Sequence, residues 1–479
     1  MAEESALRRQ RLLPLLAAGT RDADAGVRAA AAVALARAGG ESGLADLEAC
    51  FADASPTVRR AAILALGATG SERAVHRLLR IAAGEPSSGA DAITPRARSL
   101  AVVALGIARQ RGAGRHIAAF LPPLAAARGP IEEDALGSAL FFHHSLAPAG
   151  ELEPLARRLS GLFGSAGESL PRCLVMRAAE ALRHEAARDP LVLERVIDSL
   201  GTRDLDLRRS LALTAGALEA DATAPSLRRA LGREREYLTR GFLLLALGRN
   251  GGAGTRDELV DLLAGGDRAG RPWVALALGI LAGRADDDVA RQALREELAR
   301  ERSAEAIGAF LLAAGIARDR QAVGRMEQTL RDGASGRQRL HAALALSMSG
   351  HPSAAPVLRR ALASERSPYV RIVVAQALAR LGEDQDAPAL LAVLAAVHDA
   401  DLQAQIAAAL GSHGTLPMLR GLADELEAAD LDAVGRAAAM QAIGILLDPG
   451  EPFAMTRLCQ GKNFTVFPDW IYEPVLTTL

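Results

Sequence analysis

Only a few residues in this chain combine a reactive type with a spacing that chemistry can use. His184 and Glu185 stand side by side, and imidazole with carboxylate is a donor combination that iron centres use. They form the one His-Glu pair among nine histidines, so a centre needing several such pairs cannot be assembled. His143 and His144 follow Phe141 and Phe142 in a segment that reads as helix, where adjacent side chains point apart and chelate poorly. Cys50, Cys173 and Cys459 are far apart, odd in number and without CxxC spacing. That fits buried thiols in a reducing compartment better than a disulfide framework or a zinc site. No GxxxxGKS/T, HExxH or GxSxG motif occurs, and the 45 glycines are spread over turns. The sequence therefore offers no catalytic residue, no metal ligand and no cofactor site. One pattern of charge recurs: Arg28, Arg59, Arg98, Arg208, Arg240 and Arg371 occupy the same position of a repeating frame. A row of guanidinium groups suggests phosphate binding.

The elements that carry these residues are repeats. Asp22-Ala-Asp-Ala-Gly-Val-Arg-Ala-Ala-Ala-Ala-Val-Ala-Leu-Ala aligns without a gap on Asp53-Ala-Ser-Pro-Thr-Val-Arg-Arg-Ala-Ala-Ile-Leu-Ala-Leu-Gly. The frame returns with closing residues Leu105, Leu182, Ala215, Leu247, Leu278, Ala314, Leu346, Leu378, Leu410 and Ile443, 31 to 36 residues apart from Leu182 onward. Blurred copies fill the stretch between Leu105 and Leu182, so 112–170 reads as an irregular joint. Each unit has two apolar helical segments, the second opening after a turn rich in Asp, Ser, Pro or Gly. In the second helix of the Asp53 unit, Val58, Ala61, Ala62 and Ala65 follow the spacing of one helix face. The composition agrees: 479 residues, 50% hydrophobic, 3% aromatic and about a fifth alanine. A core of alanine and leucine must be thin and helical, and short helices must bury their stripes on neighbours.

The Asp…Val-Arg-x-Ala-Ala-x-x-Ala-Leu-Gly frame resembles bacterial HEAT-like repeats of the phycobilisome-lyase type over roughly residues 7 to 455. The resemblance implies an all-α, right-handed α-solenoid of about thirteen helical hairpins. It also implies that the recurring arginines pair with turn acids and carbonyls of adjoining repeats, for which Asp22, Asp24, Asp53, Asp204 and Asp206 are well placed. Second helices line the concave surface in such solenoids. On that basis the side opposite Val58 and Ala65 is a partner-binding face whose members are Arg60, Ile63, Val102, Arg209, Leu244, Leu311, Leu340, Ile372 and Met440. That face is small and apolar, which suits a protein segment, or else a superhelix so tightly curved that its inner side packs on itself.

The last residues break the frame. Within 456–479, Phe464, Phe467, Trp470 and Tyr472 are four of the chain's fifteen aromatics, and the segment reads as a C-terminal cap over the last repeat or as a docking tail for another copy. The reading that follows is a non-catalytic protein–protein interaction scaffold without cofactor. The competing readings are self-assembly through the tail and a phycobilin lyase-like or chaperone-like enzyme. Resemblance to deoxyhypusine hydroxylases stops at the single His-Glu pair, and resemblance to HEAT-like DNA glycosylases stops at the repeat architecture. With 56 basic and 57 acidic residues the net charge is −1, so no field draws the chain to nucleic acid or anionic lipid. The longest apolar runs, Trp273 to Gly283 and Ala306 to Ala317, are short of the ~18 residues a membrane span needs. The acidic start lacks the apolar core of a secretory signal, which leads us to expect a cytoplasmic protein.

Overall fold

The computed structural model describes residues 7–85, 94–110, 190–203, 205–217, 223–265, 269–397, 406, 410–411, 415–428 and 431–447. These are helices joined by short turns, with no strand among the described residues. The expected joint at 112–170, the residues His143, His144, Cys173, His184, Glu185, Asp204 and Cys459, and the whole tail 456–479 lie outside them.

In chain order the helices are α1 Leu13–Gly19, α2 Ala25–Gly39, α3 Leu44–Cys50, α4 Pro56–Ala68, α5 Glu72–Ala83 and α6 Pro95–Gln110. After the undescribed stretch come α7 Pro190–Asp198, α8 Leu205–Ala217, α9 Ala224–Arg233, α10 Tyr237–Asn250, α11 Ala253–Gly265 and α12 Arg271–Ala285. They are followed by α13 Asp288–Arg300, α14 Ala304–Ile316, α15 Val323–Asp332, α16 Gly336–Met348, α17 Ala354–Ser364 and α18 Pro368–Ala379. The last are α19 Ala387–Ala396, α20 Leu416–Ala428 and α21 Ala433–Leu447.

The turns start the second helices as the sequence requires. Asp24 accepts the Val27 N–H at 3.0 Å, Asp287 that of Ala290 at 3.0 Å and Asp432 that of Gly435 at 2.7 Å. Ser335 and Gln338 form a reciprocal capping box on α16. Each cap satisfies a backbone donor left free at a helix start.

The described residues fall into two compact units. One is drawn from Met1–Glu151 and Leu378–Leu458, the other from Leu152–Ala377. Within each, second helices lie side by side: α2 on α4 and α4 on α6 in the first unit, and α8, α10, α12, α14 and α16 successively in the second. In the first unit α21 also packs on α2, the most extensive helix–helix contact among the described elements. The flank of α21 that a terminal cap would cover is thus already occupied by the first second helix.

Side-by-side packing this close depends on one small residue. A Cβ on Gly67 would overlap the Ala104 carbonyl, and one on Gly248 the Ala277 carbonyl. One on Gly279 would sit 2.7 Å from the Ala313 Cα, and one on Gly315 2.7 Å from the Ala345 Cα. In every case the glycine follows its repeat's frame position 28 (the arginine, or Ile307 in the Gly315 repeat) by eight residues, and the alanine follows the next repeat's by six. Gly444 and Ala34 obey the same rule, with the virtual Cβ 2.6 Å from the Ala34 Cα.

Candidate functional site

The arginine row is a ladder between repeats. Arg28 holds Asp53 of the next turn through Nε at 2.7 Å and Nη2 at 2.9 Å, while its Nη1 donates to the carbonyls of Asp22 and Ala23. Arg59 donates to the Asp53 and Ala54 carbonyls, Arg98 to that of Ala82, and Arg240 to those of Leu231 and Glu234. Arg208 pairs with Glu234 at 2.9 Å. Arg371 is exposed. Asp24 is spent on its own helix cap, and the Asp206 side chain lies outside the described residues. A phosphate stripe would need these cations free; fork geometry instead commits them to fixed internal acceptors.

Three rungs were missed in the sequence. Arg271 holds Glu301 at 3.2 Å and Glu297 at 3.0 Å, Arg339 holds Glu365 at 2.8 Å, and Arg436 holds both Asp22 oxygens at 3.0 Å. The signal that finds them is spacing: each stands seven residues before a closing residue, Leu278, Leu346 and Ile443, as Arg28 stands before Leu35. Their Val-Arg dipeptide is lost while the register is kept.

The acids respond to this company. Burial pushes the Asp22, Glu236, Glu301 and Glu365 carboxyls up, but surrounding guanidinium and N–H donors outweigh it and hold all four below the usual range, Glu236 down to about 2. Asp53 is lowered chiefly by its bond to Arg28. The Cys50 thiol is pushed up by burial, so it is held as an unreactive thiol. Among the described residues no cluster of three or more His, Cys, Asp or Glu is placed to hold a metal ion.

The expected concave face needs correction. Ile63 is 5% exposed, Leu244 4%, Leu311 0%, Ile372 1% and Met440 5%, and Arg209 is buried with its Nη2 2.8 Å from Glu236. Arg60 is exposed and Leu340 half-buried; the Val102 side chain lies outside the described residues. The physical reason is the glycine seam: Ile63, Leu244, Leu311 and Met440 lie one turn before Gly67, Gly248, Gly315 and Gly444, so this side faces the next helix.

The open side is turned by about one residue, roughly 100° on a helix. On α2 it carries Gly26, Ala29 and Val33, on α4 Thr57, Arg60 and Leu64, and on α21 Val434, Ala437 and Gln441, all exposed or half-buried. These are equivalent repeat positions on three helices packed in the order α21, α2, α4. Ala61, grouped with the core by spacing, is half-buried beside them. Together they make a continuous surface of small and apolar groups with one cation, Arg60.

Fold and site define an all-α protein of stacked helical hairpins whose charged residues join one hairpin to the next. Residues 12–93 and 323–411 match the family model for HEAT repeats, and over those stretches the chain is built of HEAT repeats. Comparison with curated proteins finds no match. Among solved structures, the complex of CpcE and CpcF of phycocyanin lyase from Nostoc sp. PCC7120 is similar at 22% identity, covering 49% of this chain and 94% of that one, with a TM-score of 0.35. Human deoxyhypusine hydroxylase is similar at 20% identity over 62% and 98%, with a TM-score of 0.30. A structure from work on the interaction between cadherin and beta-catenin is similar at 16% identity over 85% and 99%, with a TM-score of 0.29. No helix among the described residues is long and apolar enough to cross a membrane.

Proposed function

We propose that this chain is a non-catalytic, protein-binding scaffold, and that a partner segment lies across α21, α2 and α4. The observation that supports this is the contrast between how charged and apolar groups are used there. The frame arginines of these helices, Arg28, Arg59 and Arg436, are tied to acids or carbonyls. The accessible row they leave is Val33, Leu64, Ala29 and their neighbours, a surface that gains by being covered. Arg60 at its centre gives one polar anchor. Nucleic acid would require a row of unpaired cations, and this row has one. Of the nine face residues named from sequence, Arg60 and Leu340 retain a direct contact role in this reading, and the buried ones shape the seam beneath.

The test is co-purification from source cells with wild type, a Val33→Asp/Leu64→Asp double variant and Arg60→Glu, with helicity followed by circular dichroism. Selective loss of the same protein from both variants, at unchanged helicity, supports the reading. Retention of every wild-type partner by the double variant would sink it.

A further inference from the structure

The joint between α21 and α2 follows the same two rules as every joint between consecutive repeats. Arg28 reaches the acid six residues before the next frame arginine, namely Asp53 before Arg59, and Arg339 likewise reaches Glu365 before Arg371. Arg436 reaches Asp22, six residues before Arg28. The glycine rule repeats as well, with Gly444 against Ala34 as Gly67 is against Ala104. The last repeat therefore treats the first as its successor. Met440 closes over Gly19, and Arg11 adds bonds to Asp424 at 2.5 Å and to Glu427 at 2.7 and 2.8 Å.

This joint differs from the others in one respect. Its partners are 414 residues apart, whereas neighbouring repeats are tethered by about thirty, so its loop-closure cost is the largest in the chain. It is also heterologous: the α21 face and the α2 face are different and complementary, and each is present on every copy. We infer that the terminal repeats form a clasp, closed within one chain in this structure, and that a second copy of the chain can supply either half. The α2 face of one molecule then receives Arg436 and Gly444 of another, and the remaining α21 and α2 faces close the same way, giving a two-chain species with both joints intact. This is assembly through the repeat ends, and it uses no residue of 456–479.

Complementary charge reversal in the full chain tests the clasp. Asp22→Arg places two cations at the joint and Arg436→Asp places carboxylates beside Asp22 and Asp24, so each single variant is expected to lose hydrogen-exchange protection over 25–39 and 433–447. The double variant restores the pair and is expected to recover most of it. Mixed one to one, the two single variants are expected to form a species of twice the 50.0 kDa chain mass by light scattering, because each supplies the half the other lacks. Wild type refolded from urea at tens of micromolar is expected to give the same species, which reads the clasp without any substitution. Only 50 kDa material in both the mixture and the refolded wild type overturns exchange with a second copy. An equal yield of dimer from either single variant alone overturns it too, since the pairing is then indifferent to the clasp. Wild-type protection in both single variants overturns the clasp itself.

Discussion

One repeat position behaves oppositely in the two units. In the first it is held by Val33 on α2 and Leu64 on α4, both half-buried; in the second by Leu245 on α10, Leu276 on α12 and Leu312 on α14, which are 5%, 0% and 1% exposed. The frame is the same, with the arginine or its equivalent five residues earlier and the glycine seam three residues later. What differs is the rest of the helix. Around Leu64 the sequence is Thr-Val-Arg-Arg-Ala-Ala-Ile-Leu, polar on one side, whereas α12 and α14 are apolar all round from Trp273 to Ala282 and from Ala306 to Ile316. A helix apolar on every side has no face to give to water. One repeat rule can thus build either a covered core or an accessible surface, and the residues outside the rule decide which.

The largest effect should come from placing charge at this position in each unit. Leu312→Asp removes buried apolar contact, itself worth roughly 2–5 kcal/mol for a large-to-small change, and adds a carboxylate with no water to solvate it. We expect a loss above about 4 kcal/mol, or failure to fold. Leu64→Asp should cost under about 1 kcal/mol, as surface substitutions do. Urea unfolding of both variants checks this, and equal losses would erase the distinction between the units.

Glycine substitutions sharpen the same contrast inside the second unit. Gly279→Ala drives a methyl group to 2.7 Å from the Ala313 Cα, and backbone cannot rotate aside as a side chain can. The cost is expected near the upper end of overpacking, about 3 kcal/mol. Gly232, late in α9, has nothing within 4 Å of its virtual Cβ, so Gly232→Ala is expected to gain up to about 1 kcal/mol from helix propensity. Thermal midpoints moving in the same direction for both would contradict the seam as the reason for the first glycine.

These outcomes also mark how far the sequence could be read. The two-helix unit, its spacing and its capped turns were legible because each depends on local rules: periodicity, Asp or Ser at helix starts, Leu at the close. The ladder was legible in its donors and only partly in its acceptors. Arg28, Arg59 and Arg98 share a dipeptide signature, but Glu234, Glu301 and Glu365 carry no motif and are fixed only by lying six residues before the next frame position. The open face was misplaced by one residue because helix periodicity gives the buried direction and leaves the neighbour's direction unstated. Gly67, Gly248 and Gly315 held that information, since a helix contact this close needs hydrogen in place of a side chain. The pairing of Arg436 with Asp22 joins opposite ends of the chain, and no local pattern announces it.

Acid should separate the two units by a smaller amount, and the sign can be worked out from one residue. His341 on α16 is 2% exposed, with its ring against Gly308 of α14. Burial, helped by the nearby Arg337 charge, lowers its pKa from 6.5 to about 3. Between those values the unfolded chain binds a proton that the folded chain refuses, so stability falls as pH drops below about 6.5 and the loss is complete near 3. The lowered carboxylates act later: Glu236 contributes stability above 4.5 that fades as pH falls toward about 2. From pH 6.5 to 5 the His341 effect therefore stands clear of them, on the order of 1–2 kcal/mol. Hydrogen exchange should show α14 and α16 loosening over that interval while α2 and α4 hold. His341→Gln should flatten the dependence, since it keeps a polar side chain of similar reach and removes the titration. If α14 and α16 loosen as much with glutamine as with histidine, the buried imidazole is not what makes the second unit sensitive to acid.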